Sequence, residues 1–191
     1  MKKLLFIFIS TLSVFFLFSC TYKMPYKPGV TIEGEDTFYK NKKQWENDNI
    51  ENYSFTFTRI HSSYPSANYT VDITVKDGKV ENCDLKEYRR KAKESLSSEE
   101  WTKEEDNFYG SHSDLEQFSI DSIFESFDSR IRNAYKSFSE YPDCYYANYS
   151  FTFSDEEPYV LSCKGESVLM IEDAVGNGAR IKMQISNFKK L

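Results

Sequence analysis

The chain has 191 residues, with 24 Lys+Arg against 30 Asp+Glu, two His and four Cys. The acidic balance argues against a nucleic-acid binder, whose affinity comes largely from neutralising phosphates, and so few His and Cys leave little for a transition-metal site. An aromatic share of 17% is not that of a disordered chain.

Met1-Lys2-Lys3 is a basic start, and Leu4 to Phe18 is a nearly unbroken apolar run of fifteen residues. A bilayer span takes ~20 residues, so this run is short for a permanent anchor and suits a removable export signal over residues 1–19. It ends Leu17-Phe18-Ser19-Cys20 and resembles a bacterial lipobox, with Phe18 where a small residue is usual. The resemblance implies cleavage before Cys20 and lipid attachment to its sulfur, hence a membrane mooring through acyl chains. The other reading is a plain secretory signal with Cys20 an ordinary thiol. Without the leader, 172 residues remain, with 22 basic and 30 acidic side chains and net charge −8. That length fits one domain with a real core. Residues 20–36 hold two prolines and two glycines with no visible period, and read as a tether.

A single α+β domain is expected over 37–191. A short helix is predicted from Asp36, as N-cap, to Asp48, anchored by Phe38 and Trp45. Tyr53, Phe55 and Phe57 then alternate with Ser54, Thr56 and Thr58, a strand with an aromatic face and a hydroxyl face. Tyr69, Val71, Ile73 and Val75 alternate likewise. Asp77-Gly78 follows at once, the dipeptide of a two-residue hairpin turn. In residues 86–117, fifteen of 32 side chains are charged, and a helical or irregular surface excursion is expected there, held down by Trp101, Phe108 and Tyr109.

The clearest helix runs over 119–139. Ile120, Ile123, Phe124, Phe127, Ile131, Ala134, Tyr135 and Phe138 fall within an arc of about 120°. Ser119 is the N-cap candidate and Asp128 is placed on the outer face. Such a stripe requires a flat apolar partner, and a sheet is the obvious one. Strands follow over 145–153, 159–163, 167–171 and 179–188, with turns at 154–158, 164–166 and 173–178. The expected fold is an antiparallel sheet of six to seven strands with the 119–139 helix on one face. Asn-Tyr-Ser-Phe-Thr-Phe occurs at 52–57 and again at 148–153, each after a predicted helix. It reflects either a duplicated α-β-β-β unit or two strands with the same packing needs.

Trp45 ahead of Asn52-Tyr53-Ser54-Phe55, then Val75-Lys76-Asp77-Gly78-Lys79-Val80, then Ser119-Ile120-Asp121-Ser122-Ile123-Phe124, then a turn from Asp155 to Tyr159, occur in this order. The order resembles a family of uncharacterised bacterial secreted and lipid-anchored proteins, domain of unknown function six-one-seven-four. The resemblance covers about residues 45–188. It implies an envelope-exposed domain and no particular activity.

Chemistry-bearing motifs are sparse. His61 and His112 fall in predicted polar loops, and Ser111-His112-Ser113-Asp114 has triad residue types without evidence of triad geometry. The acid pairs Glu99-Glu100, Glu104-Glu105-Asp106 and Glu156-Glu157 read as solvated faces rather than a glycosidase pair. Asp173–Gly178 lacks the ligand spacing of a calcium loop. Hence no catalytic residue, metal site or cofactor is expected. Cys83, Cys144 and Cys163 allow one disulfide, with Cys144–Cys163 preferred because the two bracket a predicted hairpin; three unpaired thiols are the alternative. The many Tyr and Phe serve either strand packing or a binding patch. The expected function is a lipid-anchored, extracytoplasmic binding or scaffold domain of the cell envelope. It is expected to meet an envelope protein partner and to catalyse nothing. The alternatives are an inhibitor of an exported enzyme, inserting loops 61–67 and 154–158, or a carboxylate-based hydrolase.

Overall fold

The computed structural model describes residues 27–61, 67–91, 101–102, 108, 114–171, 174–175 and 179–191. The leader, Cys20 and His112 lie outside them. In chain order the elements are β1 (Gly29–Glu33), α1 (Glu35–Asp48), β2 (Tyr53–His61), β3 (Ala67–Lys76), β4 (Lys79–Lys91) and β5 (Trp101–Thr102). There follow a 3-10 turn (Leu115–Phe118), α2 (Ile120–Glu140), β6 (Tyr145–Phe153), β7 (Leu161–Ile171), β8 (Ala174–Val175) and β9 (Ala179–Lys190). The strands form one sheet in the order β1-β6-β7-β9-β2-β3-β4-β5, with β8 on β7.

The fold class is α+β. The sheet is mixed rather than antiparallel, because β1 lies parallel to β6, with Gly29 opposite Tyr146 and Glu33 opposite Ser150. A parallel neighbour needs a long crossover, and everything from α1 through α2 supplies it. The strand also occupies the end of the segment read as tether. Too short to show alternation, it was invisible in the pattern.

Hydrophobic periodicity explains most of the rest. Tyr53, Phe55 and Phe57 face the helices and are buried, while Ser54, Thr56 and Thr58 face outward. The hairpin between β3 and β4 turns at Asp77 (φ 49°) and Gly78 (φ 72°), the positive values such a turn requires. Beyond Ile181, Met183 and Ile185, a bulge at Asn187 (φ 55°) shifts the phase of β9 and brings Phe188 inward. β7 runs straight through Lys164-Gly165-Glu166, where the sequence suggests a turn. Gly165 stands there because its neighbour's ring fills the space. A Cβ on it would sit 2.1 Å from Tyr149 Cδ1 and 2.7 Å from the Asn148 carbonyl oxygen. In a strand interior, glycine marks close approach as often as a bend. The basic run after Lys86 continues β4 instead of starting a helix.

α2 starts where its sequence says, with Ser119 Oγ accepting from the Ser122 N–H at 3.2 Å. Six of its eight stripe residues are buried; Phe138 is partly so, and Tyr135 is 46% exposed. Tyr135 instead reaches Glu35 Oε2 at the first residue of α1, at 2.7 Å. α1 begins after Gly34 rather than at an Asp36 cap. Gly34 has φ 77°, and a Cβ there would meet the Phe151 carbonyl oxygen at 2.4 Å. The chain turns from β1 into α1 too close to β6 for any side chain.

Both helices lie on the same face of the sheet. Phe38 of α1 packs on Phe124 and Phe127 of α2 and on Phe151 of β6, with ring centroids 5.6, 6.3 and 4.9 Å away. Trp45 packs edge-on against Tyr53 of β2 at 5.0 Å and Tyr159 at 4.9 Å. Tilted and edge-to-face rings match the aromatic quadrupole and add ~0.5–1.5 kcal/mol per pair beyond burial. The aromatic abundance thus fills the core between helices and sheet.

Candidate functional site

The opposite face of the sheet is covered by no described element. Its side chains are the outward halves of the alternating strands, and they sort by charge. Over β2–β4 they are hydroxyls and acids. Thr56 donates to Asp72 Oδ1 at 2.7 Å, Thr58 and Thr70 share a 3.2 Å bond, and Lys86 bridges Asp72 and Asp84 at 3.4 and 2.5 Å. Over β7 and β9 they are basic. Lys164 lies directly opposite Lys182, and Arg180 Nε pairs with Glu166 at 2.9 Å. A shallow groove of about 420 Å³ runs between these strands and Glu33 of β1, with Asn148, Ser150 and the 42%-exposed Ile60 on its walls. Neither lysine pairs with a carboxylate among the described residues. Sequence reasoning missed Lys164 because it read as turn. Its alternation with Ser162 and Glu166 was the signal that could have found it.

The candidates named from sequence are scattered. His61 is the last residue of β2 and faces the helix side, partly buried, rather than sitting in a loop. Burial, then the charges of Arg59 and Arg130, hold its pKa below the ordinary value. Glu156 and Glu157 sit in an exposed turn whose N–H groups bond Ser154 Oγ. Asp128 is buried rather than outward. It accepts from Tyr39 at 3.1 Å and from Arg132 at 2.7 Å, with Lys42 Nζ 3.7 Å away. With the Lys42–Glu125 pair at 2.6 Å and the Trp45 Nε1–Asp121 bond at 3.0 Å, this polar set ties α1 to α2. Such work is structural, and every member is satisfied by another.

The disulfide expectation is corrected. No disulfide joins any two of Cys83, Cys144 and Cys163. Tyr145 lies opposite Leu169 and Phe151 opposite Cys163, so Cys144 stands seven residues before the position paired with Cys163, about 23 Å along the β6–β7 ladder at ~3.3 Å per residue. A bridge needs Cα atoms ~4.4–6.8 Å apart. Burial pushes the Cys163 thiol up to about 12 and the Cys83 thiol up to about 11, far from a reactive thiolate. Among the described residues no group of three or more His, Cys, Asp or Glu could hold a metal ion. Nor is any described helix long and apolar enough to cross a membrane.

Comparison with protein families matches residues 37–163 to the Family of unknown function (DUF6174). The chain belongs to this family. The match spans α1 through the first residues of β7, so the family's extent takes in both helices and the aromatic strands, while β1 and β9 fall outside it. No curated protein and no solved structure matches the chain.

Proposed function

We propose that the chain is a lipid-anchored binding domain of the bacterial cell envelope, without catalysis of its own, whose open sheet face docks an acidic surface of an envelope protein. The observation that carries this reading is the Lys164–Lys182 pair. Like charges directly opposite on neighbouring strands are unfavourable, by a few tenths of a kcal/mol to ~1 kcal/mol, and neither lysine is in an ion pair among the described residues. A partner's carboxylates would relieve that repulsion and steer the approach. The groove beside them gives such a surface a shape to enter. The lipobox-like Leu17–Cys20 supports the anchored, extracytoplasmic placement.

The test is photo-crosslinking on intact cells from a probe at Ser162 or Gln184, on the same face. One enriched envelope protein is expected, lost when Lys164→Glu and Lys182→Glu are combined. A clean experiment with no enriched protein, or enrichment unchanged by the charge reversal, overturns the docking face. The anchor is read separately by the mass of the mature N-terminus: acyl chains on Cys20 are expected, and an intact Met1 without them overturns it.

A further inference from the structure

Strand register lines up one straight row of side chains across the open face. Glu33 of β1 lies opposite Ser150 of β6, Ser150 opposite Lys164 of β7, Lys164 opposite Lys182 of β9, and Lys182 opposite Ile60 of β2. All five line the shallow groove of about 420 Å³. Neighbouring strands stand ~4.8 Å apart, so the row spans roughly 19 Å. Its chemistry changes from end to end: an acid, a hydroxyl, two ammoniums, an apolar side chain. Glu33, Lys164 and Lys182 belong to no ion pair among the described residues, and Glu33 stands two strands, ~10 Å, from Lys164. Ile60 is 42% exposed on a strand face otherwise given to Ser54, Thr56 and Thr58. One row to the side, Arg180 and Glu166 pair with each other at 2.9 Å.

Two ammoniums carried ~4.8 Å apart can each donate to one oxygen of the same carboxylate, which turns a repelling pair into a clamp. From the midpoint of the two lysines, Ile60 and Ser150 each lie ~7 Å away on opposite sides, and Glu33 lies ~12 Å away beyond Ser150. In an extended segment alternate side chains share one face and recur every ~6.7 Å, the second at ~13 Å. Laid across the strands, such a segment brings its alternate side chains over Ile60, the lysines, Ser150 and Glu33 in turn. A helix, ~10–12 Å across with its side chains, would ride above so shallow a groove.

We infer that this row takes a stretch of extended chain on the partner, lying across the strands with an acidic residue between Lys164 and Lys182. An apolar residue two places to one side covers Ile60, a small polar residue two places to the other meets Ser150, and a basic residue two places further meets Glu33. The inference rests on the docking face proposed above and adds to it what the partner presents, an order of side chains rather than negative charge alone. The lysines attract any acid, whereas the two ends discriminate. A second acid is repelled at Glu33, and a polar group over Ile60 gives up water without a partner.

The test titrates the full chain with two end-blocked heptapeptides of one composition, Lys-Thr-Ser-Thr-Glu-Thr-Leu and Glu-Thr-Lys-Thr-Leu-Thr-Ser, each also in reverse, since the row fits either chain direction. Backbone amide shifts read the binding and show that every variant is folded. One direction of the first sequence is expected to bind at least about fivefold tighter than either direction of the second, with shifts centred on Lys164, Lys182 and Ile60. Ile60→Ser and Glu33→Lys are each expected to weaken that binding, while Lys136→Gln on the helix side leaves it unchanged. The peptide with Glu in place of its Lys is expected to bind the Glu33→Lys variant better than the native chain. Equal binding of the two orders, no recovery in that charge exchange, or the same shifts from sodium acetate alone overturns the inference. Stronger shifts of these amides with bicelles containing phosphatidylglycerol than with the peptide assign the row to lipid headgroups and overturn it too. None of these outcomes depends on whether crosslinking on cells enriches a partner, so the two readings fail separately.

Discussion

Single side chains decide several outcomes here. Gly165→Ala forces its new methyl into the Tyr149 ring and the Asn148 carbonyl, and the carbonyl belongs to a strand that cannot move aside. Overpacking of this kind costs about 1–3 kcal/mol, which denaturant unfolding will read as a lower midpoint at unchanged slope. His61 predicts a pH dependence. Its pKa is lowered in the folded chain by burial first and by Arg59 and Arg130 second, from an ordinary value of 6.5. The unfolded chain therefore takes up the proton first, so the stabilising difference is present above about pH 6.5 and is lost as pH falls through the folded-state value. Melting temperature is expected to drop as pH falls below 6.5, and His61→Gln is expected to flatten that part of the curve. A wild-type profile already flat from pH 7 to 5 contradicts it. Of these residues the sequence showed His61 but set it in a loop. Strand β2 carries on past its last aromatic residue because Arg59 and His61 keep the inward phase, and a polar residue in an inward place breaks the pattern that reveals the strand.

At the scale of elements, legibility followed alternation and capping. β2, β3, β6 and α2 were readable because their apolar residues recur at the period of the structure they form, and Asp77-Gly78 because only such residues take its backbone angles. β1 and the through-going part of β7 were not, since five residues carry little period and Gly165 imitates a turn. The charged stretch after Lys86 misled for another reason. An edge-proximal strand exposed on one side tolerates charge, and charge discourages sheet-to-sheet aggregation, so the same composition suits a surface helix or an outer strand. The open-face groove offered a signal only at Lys164, through its alternation with Ser162 and Glu166, because the groove as a whole brings together strands far apart in the chain. The repeated hexapeptide resolves differently. α1-β2-β3-β4 and α2-β6-β7-β9 lie side by side with both helices on one face, yet β2 and β6 point in opposite directions while the strand order advances the same way. Seen from the helices with the first strand upward, the second lies to opposite sides in the two units. Their hands are mirror-related, so no rotation superposes them, and a tandem copy of one unit would not differ in that way. The shared sequence answers a shared need instead. Tyr53 meets Trp45 of α1, and Phe151 meets Phe38 of the same helix.

For the whole molecule, the edge matters most. β1 covers β6, which is otherwise a nine-residue strand with one side unpaired. A chain beginning after Glu33 leaves that ladder open, and an uncovered edge is a template for intermolecular pairing. Such a truncation is expected to melt lower and to aggregate faster on light scattering than the full chain, and equal behaviour of the two contradicts the protective role. The same strand sets a leash. Only eight residues lie between Cys20 and Gly29, and the nine steps at about 3.5 Å each stretch to roughly 30 Å, little more than half of what a slack segment running to Asp36 would allow. A lipid-moored domain stitched in so early cannot roam the periphery. Moored at Cys20 as proposed above, it would ride within a protein's own width of the bilayer, and whatever it greets would have to come down to meet it.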